Sequence, residues 1–543
     1  MIELRFDLII GNGKIIDGAG NPWYSGDMAV SDGKIARIGR LTGERAERTI
    51  DASGLIVAPG FVDAHSHADA VSIVFPELQS TVMQGITTVV AGMCGSSLAP
   101  VNPAYREEVE RRVLDSLPQG IEFKITWSSF DNYLKKEETL KLGVNMAHMV
   151  GHGTVRVAGM GYDARAPTSD ELYRMQQLTI EAMESGAYGI STGLIYPPGI
   201  FSNTDEIVEL AKVVAKYGGV YASHIRGEGV SLLGAVEEAI AIGENAGTPV
   251  HIAHHKAASK EVWGKSVETL RIMEDARKRG VDVSFDQYPY PAGATSLVTL
   301  FPPWVHDGGM EKLLERLRDP ETRNRIRRDI ETGLEGWENF SKDVGWENVV
   351  VSHVRTEANK AVEGLNMTEI TRMRGDPDEF TALYNLVLEE DGSPGMIIFS
   401  MNEDDIRRIM QSPLQMVGTD SLSASPTGPM SHGRPHPRHY GTYPRILGRY
   451  VKDGTLRIEE SIRKMTSFPA QRFSLLDRGL IKPGMCADIT IFNPETVIDK
   501  ATFTSPHQFP VGIEYVIVNG NVTVEKGEFT GDLGGKTLRK RWP

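Results

Sequence analysis

A chain of 543 residues is too long for one compact core, so more than one domain is expected. Its hydrophobic fraction of 40% and charged fraction of 24% are those of a globular protein and exclude a disordered one. A formal net charge of −14 makes nucleic acid and anionic membranes poor partners, and no apolar run approaches the ~18 residues of a membrane span.

Residues 1 to about 55 read as short strands, with Asn12-Gly13 and Asp32-Gly33 as hairpin signals between apolar runs. Nothing in Met1 to Asp7 resembles a basic segment leading into an apolar one, so no leader is expected there. Strand and helix then alternate. Strands are expected near residues 56, 86, 144, 188, 220, 250, 281 and 415. Thr168 to Glu171 form a capping-box signal, and the helix they open carries Leu172, Met175, Leu178 and Ala182 on one face before Gly186. Ile207, Leu210, Val214 and Tyr217 make a second apolar stripe, and Leu232, Val236 and Ala239 a third. A further helix runs near Val267 to Lys278.

Repeated βα units with short loops predict a parallel sheet wrapped by helices, and about eight strands favour a closed (β/α)8 barrel of the TIM type. The rhythm breaks between about 296 and 411, where charged helices form an insertion. Insertions at that face of a barrel cover or shape a site, with an oligomer contact as the alternative. Ala487 to Phe492 and Tyr515 to Val518 return to the strand texture of the N-terminus. The expected organisation is a small β domain from 1–55 and 480–543 around a barrel from 56–479.

His65-Ser66-His67 follows an apolar run, and residues two apart on a strand point the same way, so both imidazoles can reach one metal. Alone, the pair reads equally well as surface or core histidines. Four further residues end other predicted strands: Cys94 the second, His224 the fifth, His254 the sixth and Asp420 the eighth. Strand ends of a barrel converge on one mouth, and imidazole, thiolate and carboxylate are the donors zinc prefers. Each residue has a separate bland explanation; all of them sharing that fate is improbable. The two cysteines, Cys94 and Cys486, lie far apart and argue for a reducing, cytoplasmic compartment over a disulfide scaffold.

Taken together, His65-Ser66-His67, Cys94-Gly95-Ser96-Ser97-Leu98-Ala99-Pro100, Ser191-Thr192-Gly193, His224, His254-His255-Lys256, Tyr288-Pro289-Tyr290 and Gly418-Thr419-Asp420 resemble the D-aminoacylase (N-acyl-D-amino-acid deacylase) family of the amidohydrolase superfamily. The likeness runs over nearly the whole chain and is loose only from about 296 to 411. It implies a metal-dependent hydrolase barrel with a small β-sandwich built from both ends. It implies a tightly held zinc at Cys94, His224 and His254, and a second, weaker position at His65 and His67 bridged by Cys94. No lysine follows the fourth strand, Tyr188 to Gly193, so a cysteine bridge replaces the carboxylated lysine of hydantoinase-like enzymes.

The implied reaction is hydrolysis of the amide of N-acyl-D-amino acids, with Asp420 beside the metal as proton shuttle. Lys256, Tyr288 and Arg438 would hold the substrate's α-carboxylate. His251 and His255 read as structural, and His152 as a candidate supporting residue. Met93 and Ser421 depart from the family pattern without removing a ligand. The rivals are hydrolysis of cyclic amides or D-aminoacyl dipeptides, a deaminase, for which no glutamate donor is evident near the mouth, and a non-catalytic scaffold. A homo-oligomer is an open option.

Overall fold

The computed structural model describes residues 5–541. Its centre is a parallel barrel built in chain order. Its strands are Phe61–Asp63, Ile86–Ala91, Asn145–His148 continued by Val150–Gly151, Gly189–Gly193, Val220–His224, Val250–Ile252, Val283–Gln287 and Gln415–Val417. Neighbours pair parallel from the first strand to the eighth. Closure between the last strand and the first is made by single bonds: Ala64 N–H donates to Val417 O at 3.2 Å and Asp420 N–H to His65 O at 2.8 Å. The buried Tyr443 hydroxyl lies 2.8 Å from Val62 O and 3.0 Å from Val417 O and clips the same seam.

The helices of the outer ring carry the stripes read from the sequence. Thr168 caps Ser169–Ser185 through a complete capping box with Glu171, and Gly186 ends it in the left-handed conformation. Thr204–Lys216 buries Ile207, Leu210 and Val214, each such side chain contributing about 1.5–3 kcal/mol. Leu232–Ala246 and Ser266–Lys278 follow in the same way.

The ends of the chain form one nine-stranded sheet around a core that includes Leu8, Ile10, Met28, Val30, Ile489 and Ile517. The strand expected near residue 56 belongs here: Ile56–Pro59 pairs with Ile489–Phe492 and with Lys14 and Ile15. The first barrel strand starts only at Phe61, past Gly60, where a Cβ would lie 2.2 Å from Thr87 Oγ1. The far C-terminus leaves this sheet as well. Thr537–Leu538 pairs parallel with Met146 and Ala147 of the third barrel strand, and Lys540 N–H donates to Gly186 O at 2.9 Å.

The insertion between the seventh and eighth strands is a body with its own core, including Leu313, Leu317, Ile326, Leu383 and Leu386. Its antiparallel sheet joins Ala292–Ser296, Gly395–Phe399 and Val349–His353. The helix Glu403–Gln411, expected within the insertion, packs instead on Ser266–Lys278 and Gln415–Val417 as part of the outer ring. Among the described residues no helix is long and apolar enough to cross a membrane.

Candidate metal centre

The C-terminal strand ends meet at one mouth, and the donors named from the sequence meet there in two sets. One ligand atom from each of His65, His67, Cys94 and Asp420 lies within 4.8 Å of the others, and the same holds for Cys94, His224 and His254. Cys94 belongs to both sets, with its Sγ 3.3 Å from His65 Nε2 and 3.4 Å from His254 Nε2. The first strand ends at Asp63, yet the chain stays extended: Ser66 N–H bonds Val90 O and His67 N–H bonds Ser421 O. That keeps both imidazoles on the same side, with their Nε2 atoms 3.4 Å apart.

Three of these residues sit on left-handed backbone: Cys94 at φ 52°, His254 at φ 35° and Asp420 at φ 52°. Such a conformation costs a non-glycine residue roughly 1–3 kcal/mol and clusters where function demands it. Gly418 lets the eighth strand come close, because a Cβ there would meet Asp286 Oδ1 at 2.6 Å and His65 Cβ at 2.7 Å.

Carboxylates absent from the sequence reading orient the rings. Asp286, wholly buried, bonds His65 Nδ1 at 3.2 Å and His251 Nε2 at 2.9 Å, and accepts the His254 backbone N–H at 3.0 Å. Burial opposes its ionisation, and the two imidazoles overcome this and hold its pKa well down. His65 is thereby left with Nε2 facing the cluster, and His251 acts as a brace for Asp286. Asp63 accepts the backbone N–H groups of His65 and Thr419 and ties the first strand to the eighth. Glu228 lies 3.0 Å from His254 Nδ1 and 2.5 Å from Lys256 Nζ. Glu338, from the insertion, accepts the Glu228 backbone N–H at 3.1 Å.

Two glutamates therefore stand at a mouth where the sequence offered none. Glu228 is held between Lys256 and His254, an arrangement unlike a free proton donor. A signal was present, since Glu228 follows His224 by four residues in Gly227-Glu228-Gly229. His152 is elsewhere, bonded to Glu206 at 2.9 Å.

The electrostatics fit a cation between these groups. Burial works against ionising Cys94, but His65 and His254 outweigh it and hold the thiol well below its usual range. Burial and the neighbouring His254 keep His224 neutral, and both of its ring nitrogens are buried without a hydrogen-bond partner. A buried imidazole with no partner is costly unless something fills its lone pair. Thiolate, neutral imidazole and carboxylate are together a zinc donor set.

A cavity of about 460 Å³ opens from this cluster and is lined by Lys256, Tyr288 and Arg438. Arg438 pairs with Asp420 at 2.7 Å, and its guanidinium and the Lys256 ammonium stand 4.8 and 5.6 Å from the Tyr288 ring centre. Burial opposes ionisation of Asp420, and Arg438 reverses the balance, so its pKa lies well below the ordinary carboxylate value.

Barrel, cysteine-centred donor set and covered mouth define a class, and the chain belongs to the amidohydrolase family, whose sequence model matches residues 48–524. Within that family its likeness is to the D-aminoacylases. It is 36% identical to D-aminoacylase of Alcaligenes xylosoxydans xylosoxydans over 98% of each chain. It superposes on N-acyl-D-glutamate deacylase of Bordetella bronchiseptica, solved with zinc and a phosphonate mimic of the tetrahedral intermediate, with TM-score 0.82 and 34% identity over 99% of this chain and 100% of that one. A D-aminoacylase described by its binuclear metal centre superposes with TM-score 0.81 and 36% identity over 98% and 100%.

Proposed function

We propose that this chain hydrolyses the amide of N-acyl-D-amino acids to a carboxylate and a free D-amino acid. Cys94, His224 and His254 would hold a tight zinc, and His65, His67 and the shared Cys94 a weaker second position. The observation that carries the reading is the meeting of two donor sets on one thiolate, beside a carboxylate that a guanidinium keeps ionised. Zinc, when bound, polarises the amide carbonyl and acidifies water.

The protein's residues supply the rest. Asp420, ionised through Arg438, takes the proton of the attacking water on a carboxylate oxygen and returns it to the departing nitrogen. Without that proton the amine is a poor leaving group. Lys256, Tyr288 and Arg438 receive the α-carboxylate; Arg438 Nε is buried with no hydrogen-bond partner. Val298, Met396 and Ile398 of the insertion line the cavity that would hold the substrate. The two free cysteines favour a reducing, cytoplasmic setting.

The test measures zinc content beside hydrolysis of paired N-acetyl-D- and N-acetyl-L-amino acids by wild type, chelator-stripped protein and Asp420→Ala. Bound zinc, D-selective turnover lost on stripping and restored by zinc, and loss of turnover by about 10²–10⁴-fold in Asp420→Ala are expected. Zinc with hydrolysis only of hydantoins or dipeptides would overturn the substrate assignment.

A further inference from the structure

Two of the relatives are named for acidic substrates, N-acyl-D-glutamate deacylase and N-acyl-D-aspartate deacylase, both of Alcaligenes xylosoxydans xylosoxydans, and the charge and lining of this chain's cavity bear on whether an acidic side chain fits. We infer that it accepts an uncharged, apolar substrate side chain and rejects an acidic one, a reading that rests on the proposed hydrolysis of N-acyl-D-amino acids.

The argument begins with charge. The cavity is lined by four cations, Arg111, Arg112, Lys256 and Arg438, and by four carboxylates, Glu108, Asp115, Glu228 and Asp420. Only two of the cations are deep. Lys256 is bound to Glu228 and Arg438 to Asp420, and both are committed to the α-carboxylate. The other two lie on the helix Arg106–Asp115 at the rim, where Arg111 stands 3.8 Å from Glu108 and Arg112 is exposed. A second carboxylate taken into the cavity would find no unclaimed buried cation.

The walls beyond the cradle agree. They include Ile195, Val298, Met396, Ile398, Leu422 and Met430, five of them buried, and the polar residues among them, such as Tyr196, Thr299 and Ser352, are uncharged hydroxyls. Three of the six, Val298, Met396 and Ile398, come from the insertion. From Pro289 to Glu311, the stretch that enters the insertion, the sequence has no lysine or arginine. His306, His353 and His432 also line the space, but burial lowers each to about 4, so they offer dipoles without charge. Apolar walls with unbranched methionines adapt to linear and branched side chains alike, whereas an unpaired carboxylate is excluded from such a site.

The experiment is a kcat/KM panel on the zinc-loaded enzyme with the N-acetyl derivatives of D-methionine, D-leucine, D-glutamate and D-aspartate, and of L-methionine. D-methionine and D-leucine are expected to exceed the two acidic substrates by about 100-fold or more. Val298→Lys and Met396→Arg, each placing a cation on the wall, should narrow that ratio by raising acidic turnover relative to apolar. Turnover of D-glutamate or D-aspartate at or above that of D-methionine would overturn this inference and leave the proposed function standing. Turnover of none of the N-acetyl-D-amino acids would overturn both.

Discussion

Glu228 ties the candidate metal donors to the proposed carboxylate cradle, since one of its oxygens meets both His254 Nδ1 and Lys256 Nζ. Lys256 Nζ also lies 2.7 Å from Nδ1; with Nδ1 donating to Glu228, Nε2 of His254 keeps its lone pair for a metal and gains basicity. Glu228→Ala should therefore weaken zinc binding by roughly 10–100-fold. Glu228→Gln should weaken it less, because its amide oxygen still accepts from Nδ1. Competition with a chelator reads both, and an unchanged affinity in Glu228→Ala would refute the role. The residues missed by sequence reading are of this kind. Asp63, Asp286 and Glu228 act through candidate ligands; Glu228 carries a spacing signal, four residues after His224, whereas nothing in the spacing of Asp63 and Asp286 distinguishes them from ordinary buried acids until their partners are seen.

Two elements carry strain or charge for the sake of the mouth. The eighth strand approaches the first over Gly418, where an added methyl group would press on Asp286 and His65. Gly418→Ala should cost about 1–3 kcal/mol of stability and lower metal loading, measured by denaturant unfolding and by zinc content. The insertion delivers Glu338 to the Glu228 loop. Burial first, and the charge of Glu228 next, raise its pKa from 4.5 to about 8, with Lys256 opposing and Asp343 adding to the shift. Between those values the folded state holds a proton that the unfolded state has lost, so stability falls as pH rises through this window. Glu338→Gln lacks that proton. Its thermal midpoint, followed from about pH 5 to about pH 9, should gain on wild type as pH rises; parallel curves would contradict this.

At the scale of the whole molecule, the barrel was legible because each strand and helix announces itself locally. Period-3.6 stripes, a capping box at Thr168 and turn glycines at Gly186 and Gly218 act over a few residues. The donors were legible because strand order alone sends every C-terminal end to one mouth. Where an apolar run continues past a junction, pattern stops helping: Ile56–Pro59 and Phe61–Asp63 read as one strand, and pairing assigns them to different sheets. The same limit hid the outer-ring membership of Glu403–Gln411, whose helical stripe suits either body, and the return of Thr537–Leu538 to the barrel. The sequence by itself determined the elements, their order, and the identity and chemistry of the residues at His65, His67, Cys94, His224, His254 and Asp420, because these rest on local periodicity and on side-chain type. Only the tertiary structure decided which carboxylates orient them, which anion each cavity cation is paired with and what the insertion lays against the cavity, because those depend on contacts between residues far apart in the chain.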